Sequence, residues 1–348
     1  MIKIRTFYTL SVCGLLATAM LLSGRLNAQN LTLEGQTGGF LTPTAYVVYM
    51  EKGQPFSHPA IGFHYIDAAA VIGNIETFSV TEAFANRAEV GYTRSVHQFG
   101  DQPTAAATPL GLSNLWNYSG MNVFHGKVVA IRDGQFGEWM PGVAIGGVVR
   151  TNDHFVSGAA NLKLTGTDKS YTSEDAYIAV TKTWAKPPVP FLVNLGWKAT
   201  NATIFGIGGQ STRFGGRFFG GLGIPLPLGH GIVAVPSAGF TQEPKTSVNL
   251  NTLLNAALYQ CEALMACNPA SYPLMSAHIP TTLDYAVRVT QRNKPHFAFD
   301  IGVGQVAGNI GSIYVPNPFF PTAGPPVVTT PVNLQARSVV GMGLSYRY

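Results

Sequence analysis

Apolar side chains alternate with small or polar ones along several stretches of this chain. The stretch "PFLVNLGWKAT" places phenylalanine, valine, leucine and tryptophan on one face, and asparagine, glycine and lysine on the other. The same period of two occurs in "AEVGYTRSVH", "RFGGRFFGGLGI", "TTLDYAVRVTQR", "HFAFDIGVGQ" and "SVVGMGLSYRY". Successive side chains of a strand point to opposite faces, so each stretch predicts a β-strand with one apolar face.

Weaker alternation predicts six more strands, over residues 58–66, 71–80, 121–132, 140–150, 173–184 and 231–242. Pro236 lies inside the last of these and removes a ladder donor, which a strand tolerates at a bulge. Together the two sets predict about twelve strands.

The connections between these strands alternate between short and long. The short turns are predicted at "TEAFAN", "DGQFGEW", "AKPPV", "PLPLGHG" and "NKP". The long loops are predicted at about 98–120, 151–172, 243–280 and 307–335. In outer-membrane barrels the periplasmic turns are short and the extracellular loops are longer. The pattern therefore predicts an all-β protein, a closed antiparallel transmembrane β-barrel over residues 58–348.

Residues 29–57 contain one further strand-like stretch, "GGFLTPTAYVVYM". A wall strand here would make the strand count odd, whereas bacterial single-chain barrels have an even number. We therefore expect this segment in the periplasm or inside the lumen.

The last predicted strand alternates up to Tyr348, with Tyr346 and Leu344 on the same face. It must pair with the first wall strand, because an open edge in lipid would leave backbone groups unsatisfied. A terminal strand that ends in an aromatic residue also looks like the signal recognised by the barrel-assembly machinery. We therefore expect that machinery and outer-membrane lipid as partners.

The composition agrees with an exported membrane barrel. Charged residues are 11% of the chain, against about 25% in typical soluble domains. Residues 1–28 read as a cleaved signal peptide, and their apolar core is short for a membrane anchor and ends at Arg25. The net charge of +5 includes Lys3, Arg5 and Arg25 of this leader, so the charge gives no support to nucleic-acid binding. We expect the bacterial outer membrane as the location.

Six stretches occur in a characteristic order along the mature chain: "LEGQTGGFLTP", "FANRAEVGYTRSVHQFG", "EDAYIAVTKTW", "LGWKATNATIFGIGG", "FTQEPKTS" and "KPHFAFDIGVGQVAGNIG". In this order they resemble an uncharacterised family of Gram-negative outer-membrane barrel proteins, a domain of unknown function. The resemblance implies a barrel in the outer membrane and implies no activity. Segments 243–280 and 307–335 depart from the family pattern.

Cys261 and Cys267 are the cysteines that remain beyond the predicted leader. Two cysteines this close in an exported chain are typical of a disulfide, here one that braces an extracellular loop. The alternative is a metal or redox site, but histidine and acidic ligands at usable spacing do not accompany the pair. We expect no cofactor.

Eight charged residues fall on the predicted inner faces of strands: Glu89, Lys198, Arg213, Arg217, Asp284, Arg288, Arg292 and Asp300. They could line a pore, and the four arginines would then favour anions. The alternative is that acids and bases pair with each other and fill a plugged lumen. Twelve strands are intermediate between filled eight-strand barrels and open porins, so size leaves both open.

The eight histidines are scattered along the chain, and none lies in a recognisable nucleophile motif. We therefore expect a protein that is not an enzyme. The leading hypothesis is a channel for small solutes with a weak anion preference. The alternatives are a closed structural or assembly barrel, accessory to the export of a surface polymer, and, less favoured, an outer-membrane hydrolase.

Overall fold

The computed structural model describes residues 30–68, 73–98, 119–152, 172–185, 189–202, 210–243, 247–248, 275–276, 278–291, 296–316 and 327–347. The predicted leader, Cys261, Cys267, Arg292 and Tyr348 lie outside these residues. In the described part of the chain, no helix is long and apolar enough to cross a membrane.

Twelve antiparallel strands form the wall of one sheet. They are β1 (Ala60–Asp67), β2 (Asn74–Phe84), β3 (Ala88–Gln98), β4 (Ser119–Ile131), β5 (Gly142–Asn152), β6 (Thr172–Trp184), β7 (Phe191–Ala202), β8 (Gln210–Gly223), β9 (Ile232–Gln242), β10 (His278–Gln291), β11 (Phe297–Pro316) and β12 (Val327–Arg347). Five short pieces accompany them in the described part of the chain. Leu226–Gly229 pairs with β9, Ser247–Val248 pairs with Met275–Ser276, and the pair Asn30–Leu31 and Thr37–Gly38 forms a separate small sheet.

The wall closes on itself. Each strand pairs with the next along the chain, and β12 pairs back onto β1, with Leu344 opposite Phe63 and Tyr346 opposite Ile61. Closure gives the edges of the first and last strands a partner, as lipid requires. The predicted fold, a closed antiparallel barrel of about twelve strands, is confirmed.

The two faces of the wall differ as the alternation predicted. On β7, Leu195 and Trp197 are 56% and 43% exposed, whereas Asn194 and Thr200 are 2% and 0% exposed. The other strands repeat this arrangement, with exposed outer residues such as Phe78, Phe124, Ile145, Ile178, Phe218, Tyr285, Ile301 and Met342. An apolar belt around a polar interior is the arrangement of a barrel in a bilayer.

The proline-rich stretch that we expected to form loop 307–335 is a hairpin for most of its length. β11 and β12 continue beyond their neighbours until Pro316 lies opposite Val327. Pro331 is accommodated here, paired in register with Ser312. Of the expected loop, only residues 317–326 lie between the two strands.

Pro236 lies inside β9 at a break in the neighbouring strand. The pairing of β9 with β8 ends at Ser237 opposite Gly223, and its pairing with the next piece begins at Ala234 opposite Leu226. The missing amide of a proline therefore costs little at this position.

Candidate functional site

Residues 30–50, here called the plug, lie inside the barrel. All of them are buried or half-buried, although they contribute no strand to the wall. A tight turn begins the segment, with the Thr32 amide donating to the Gln36 carbonyl at 2.7 Å and Gly35 at a φ of +87°. Gly35 also approaches β3 so closely that an added Cβ would lie 2.4 Å from Thr93 Oγ1, so only glycine fits here.

Apolar side chains anchor the plug at two places. The first cluster contains Leu31, Ala45, Val47, Val48 and Met50 of the plug, packed with Ala60, Ala83, Val129 and Ala144 of the wall. The second cluster contains Leu33, Phe40 and Leu41, packed with Ile66, Ala68, Ile75 and Ala286. The plug is therefore packed against the wall through apolar contacts, as the core of a folded domain is.

An ion pair between Glu89 and Lys127 holds two parts of the plug together. Lys127 Nζ lies 2.9 Å from Glu89 Oε1 and donates to the carbonyl oxygens of Thr37 and Thr44, both at 3.0 Å. Glu89 accepts from the amide and hydroxyl of Thr37, at 3.0 and 2.6 Å, and from the Val48 amide at 3.2 Å. All three ammonium donors of Lys127 are thus used, and neither side chain is exposed.

Arg150 joins the plug to the neighbouring strands β5 and β6 of the wall. Its Nε and Nη2 donate to the two oxygens of Glu34, and Nη2 also lies 2.6 Å from Asp175 Oδ2. A cavity of about 20 Å³ lined by Glu34, Asp175, Tyr177 and Lys198 lies beside this cluster, with room for one or two water molecules. One arginine therefore pairs with both a plug carboxylate and a wall carboxylate.

Arg288 and Asp300 bind the start of the plug. Arg288 Nε and Nη2 donate to the two oxygens of Asp300, at 2.8 and 3.1 Å, and Nη1 donates to the Gly38 carbonyl at 3.0 Å. Asn30 donates to Asp300 and accepts from Ser345 of β12. This bidentate pair is the strongest geometry available to an arginine and a carboxylate.

Tyr46 fixes the end of the plug near the short turn between β4 and β5. Its hydroxyl donates to Asp133 Oδ2 at 2.9 Å and lies 2.6 Å from Thr183 Oγ1. Asp133 also forms an ion pair with Lys182, whose Nζ lies 2.6 Å from Asp133 Oδ1. Burial raises the pKa of Tyr46 well above its usual range, so the phenol keeps its proton.

Further hydrogen bonds tie the plug to neighbouring strands, and with the contacts above they involve ten of the twelve wall strands. β8 and β9 instead face the plug across a cavity of about 80 Å³. Phe40, Tyr46, Ser237, Asp284 and Arg288 are among the residues that line this cavity.

The structure describes the side chains of six of the eight residues that were predicted to line the lumen. Glu89, Lys198, Asp284, Arg288 and Asp300 are at most 8% exposed on the inner face. Arg217 is half-buried and donates to the Glu243 carbonyl at 2.6 Å. Arg213 lies on β8, and its side chain is outside the description, as is the whole of Arg292. Leu344 and Tyr346 are exposed on the outer face, next to β1.

Sequence reasoning missed four charged residues that the structure places at the contacts with the plug: Glu34, Lys127, Arg150 and Asp175. Lys127, Arg150 and Asp175 lie on strands whose alternation is weaker. Alternation could still have predicted that these three side chains point inward. Val128, Val149 and Ile178 on the same strands lie an odd number of positions away from them and face outward. Among the residues that the structure describes, no three His, Cys, Asp or Glu side chains cluster in a way that would hold a metal ion.

No family model matches the chain, and no curated protein matches it in sequence. Its resemblance to an uncharacterised barrel family therefore stays a prediction. Among solved structures, LpxR from Salmonella typhimurium is 7% identical with a TM-score of 0.45, covering 83% of this chain and 100% of that one. The KdgM porin is also 7% identical, with a TM-score of 0.40 and coverage of 83% and 99%.

The β-domain of the Bordetella autotransporter BrkA is 10% identical with a TM-score of 0.37, over 85% of this chain and 100% of that one. Identities and TM-scores this low carry no argument about the activity of this chain. The strand pairing, the apolar belt and the buried plug describe the protein directly. The chain forms a closed twelve-strand β-barrel with an apolar outer belt, the arrangement of outer-membrane barrels, and residues 30–50 fill its interior.

Proposed function

We propose that the protein is a gated outer-membrane channel for small solutes, closed at rest by the plug. The observation that carries the proposal is that one continuous segment, residues 30–50, fills the lumen and continues through residues 51–59 into β1. Among the described residues, its attachments to the wall strands are hydrogen bonds, ion pairs and apolar contacts, which can break and re-form together. Displacing this one segment would open a path through the barrel.

The nature of the plug contacts supports a gate. They include two charged groups that each bind both plug and wall, the Glu89–Lys127 pair and Arg150 with Glu34. Replacing a buried ion pair by apolar residues is often neutral or stabilising, so such pairs are weak devices for stability alone. A polar interface of this kind can exchange its partners for water when the plug moves.

The weak anion preference expected from four arginines receives less support. Arg288 is paired with Asp300, and Arg217 donates to the Glu243 carbonyl. The positive charge of Arg288 is therefore matched in the closed barrel. The proposal accordingly names small solutes as a class, and the reversal potential in a salt gradient measures the preferred sign.

A second candidate is a permanently closed structural or assembly barrel, accessory to surface-polymer export. The two apolar clusters between plug and wall favour it, because they resemble a protein core more than a gate. In that case deleting the loops within 243–280 and 317–326 should abolish capture of a partner and leave the barrel folded. Neither candidate gives the protein a catalytic role.

Conductance in a planar lipid bilayer tests the proposal. The full chain should be closed most of the time with brief conductance steps, whereas a variant that lacks residues 30–50 should stay open. Heat-modifiable migration on gels shows whether that variant is folded. If it does not fold, the full chain in increasing urea should show steps before the barrel unfolds. A silent full chain under all these conditions, with a folded and silent variant, contradicts the channel.

A further inference from the structure

Small inward residues of β8 and β9 leave the cavity of about 80 Å³ between the wall and the plug. Gly221, Gly223, Ser237 and Gly239 face Gly38 and Phe40 across it. One buried water needs about 10–15 Å³ of cavity volume, so this space holds roughly five to eight water molecules, or an organic molecule with a similar number of non-hydrogen atoms. The cavity therefore has the size of a site for a small solute.

Asp284 supplies the acidic group of this cavity, which hydroxyl and amide side chains such as Thr42, Asn194 and Ser237 also line. The residue is only 5% exposed, and its Oδ1 has no hydrogen-bond partner among the described residues. A buried carboxylate oxygen without a donor is rare and unfavourable, so a missing ligand is a direct explanation. The wall makes room for this carboxylate, because an added Cβ on Gly239 would lie 2.5 Å from Asp284 Oδ1.

The charge balance of the lining identifies the ligand class. Arg288 also lines the cavity, but its guanidinium forms the bidentate pair with Asp300. Asp284 therefore adds a negative charge that this pair does not compensate. Phe40, Leu192 and Val235 provide apolar surface around it. A positively charged nitrogen on a short apolar body matches both features.

We propose that this cavity binds a small organic cation, a primary ammonium that donates to Asp284 while its short carbon chain lies against Phe40, Leu192 and Val235. The inference rests on the proposed channel only for naming a transported solute. Binding itself requires only the closed barrel. The two ideas can therefore fail separately.

Calorimetric titration of the full chain, folded in detergent micelles, tests the site, with empty micelles as the blank. The probes are n-butylammonium and 1-butanol, which share size and shape and differ in charge. Charge-assisted hydrogen bonds to buried groups favour the ammonium by about tenfold or more. Asp284→Asn should remove this preference. Glu76→Gln is the control. Glu76 lies on the outward-facing side of β2, so this variant should leave the preference for the ammonium unchanged.

Ser237→Leu is a second variant that fills the cavity and keeps Asp284, so it should abolish binding of both probes even if Asp284→Asn does not fold. Equal affinity of the wild type for the two probes overturns the site, and so does an ammonium preference that survives Asp284→Asn. A protein that conducts without binding butylammonium overturns the site alone. One that binds it but never conducts keeps the site and overturns the channel.

Discussion

Glu89 and Lys127 are direct cross-strand partners in the register of β3 and β4, and together they hold the plug at Thr37, Thr44 and Val48. The pair has two roles, since its members neutralise each other's buried charge and together they fix three points of the plug. Removing one member therefore affects both the stability of the barrel and its closure.

Lys127→Met should lower the free energy of unfolding by about 3–5 kcal/mol, because it leaves Glu89 as a buried charge without its cation. Conductance steps should also become more frequent, since Thr37 and Thr44 lose the ammonium that links them. Urea unfolding and bilayer recordings measure the two effects.

The double variant Glu89→Gln with Lys127→Met should recover part of the lost stability, because it no longer buries a single charge. Arg132→Gln serves as the control, since Arg132 is exposed and donates to the Ala85 carbonyl outside the plug. Equal effects of Lys127→Met and Arg132→Gln would show that the pair does not hold the plug.

Arg150→Met should lower the free energy of unfolding by more than Lys127→Met does. It removes the arginine that pairs with two buried carboxylates, Glu34 and Asp175. Adding Asp175→Asn to Arg150→Met should restore part of the lost stability, because it removes one of the two buried carboxylates that have lost their arginine. The free energies of unfolding of the three variants, measured in the same detergent, check this order. A double variant no more stable than Arg150→Met alone would contradict it.

Tyr46→Phe should change how the free energy of unfolding depends on pH. The raised pKa of Tyr46 means that the folded protein retains the phenol proton after the unfolded chain has lost it. The stability from this effect is complete below the unfolded pKa of about 10 and is lost as pH rises above it. At pH 8 the wild type should be about 1 kcal/mol more stable than Tyr46→Phe. Above pH 10 the gap should shrink by about 1.4 kcal/mol per pH unit, and a constant gap between pH 8 and 11 would exclude the effect.

Gly196→Ala should destabilise the wall by about 1–3 kcal/mol, the usual cost of overpacking. An added Cβ on Gly196 would stand 2.1 Å from the ring of Phe219, a buried residue of β8. Gly126→Ala is the matched control, because the nearest atom to its added Cβ is 3.9 Å away. Thermal unfolding of the two variants should differ clearly, and similar midpoints would mean that the ring moves aside freely.

Much of the wall could be predicted because alternation is a local property of the chain. The stretch 281–292 predicted a strand with Asp284 and Arg288 inward, and β10 has both side chains buried. The position of the plug was left open between periplasm and lumen. Alternation in "GGFLTPTAYVVYM" shows that one face is apolar, but it does not identify the surface that this face meets.

The charge pairs of the site could not be predicted for a related reason. Glu34 and Arg150 are 116 residues apart in sequence, and their contact depends on where the plug lies in the closed barrel. The extended hairpin of β11 and β12 was missed because its prolines indicate a loop, although Pro331 fits opposite Ser312.

The occupied lumen is tested most directly by a cross-link between plug and wall. The Cβ of Ala45 lies 3.4 Å from the position that a Cβ on Gly142 would take, close to the separation found in disulfides, about 3.5–4.5 Å. With Cys261 and Cys267 replaced by serine, the Ala45→Cys and Gly142→Cys variant should form this disulfide under mild oxidation in the membrane, as detected by peptide mass spectrometry. Gly126→Cys, which faces outward, should not link to Ala45→Cys. A folded barrel whose cysteines at 45 and 142 stay unlinked, or link no faster than the outward-facing pair, would contradict a plug inside the barrel.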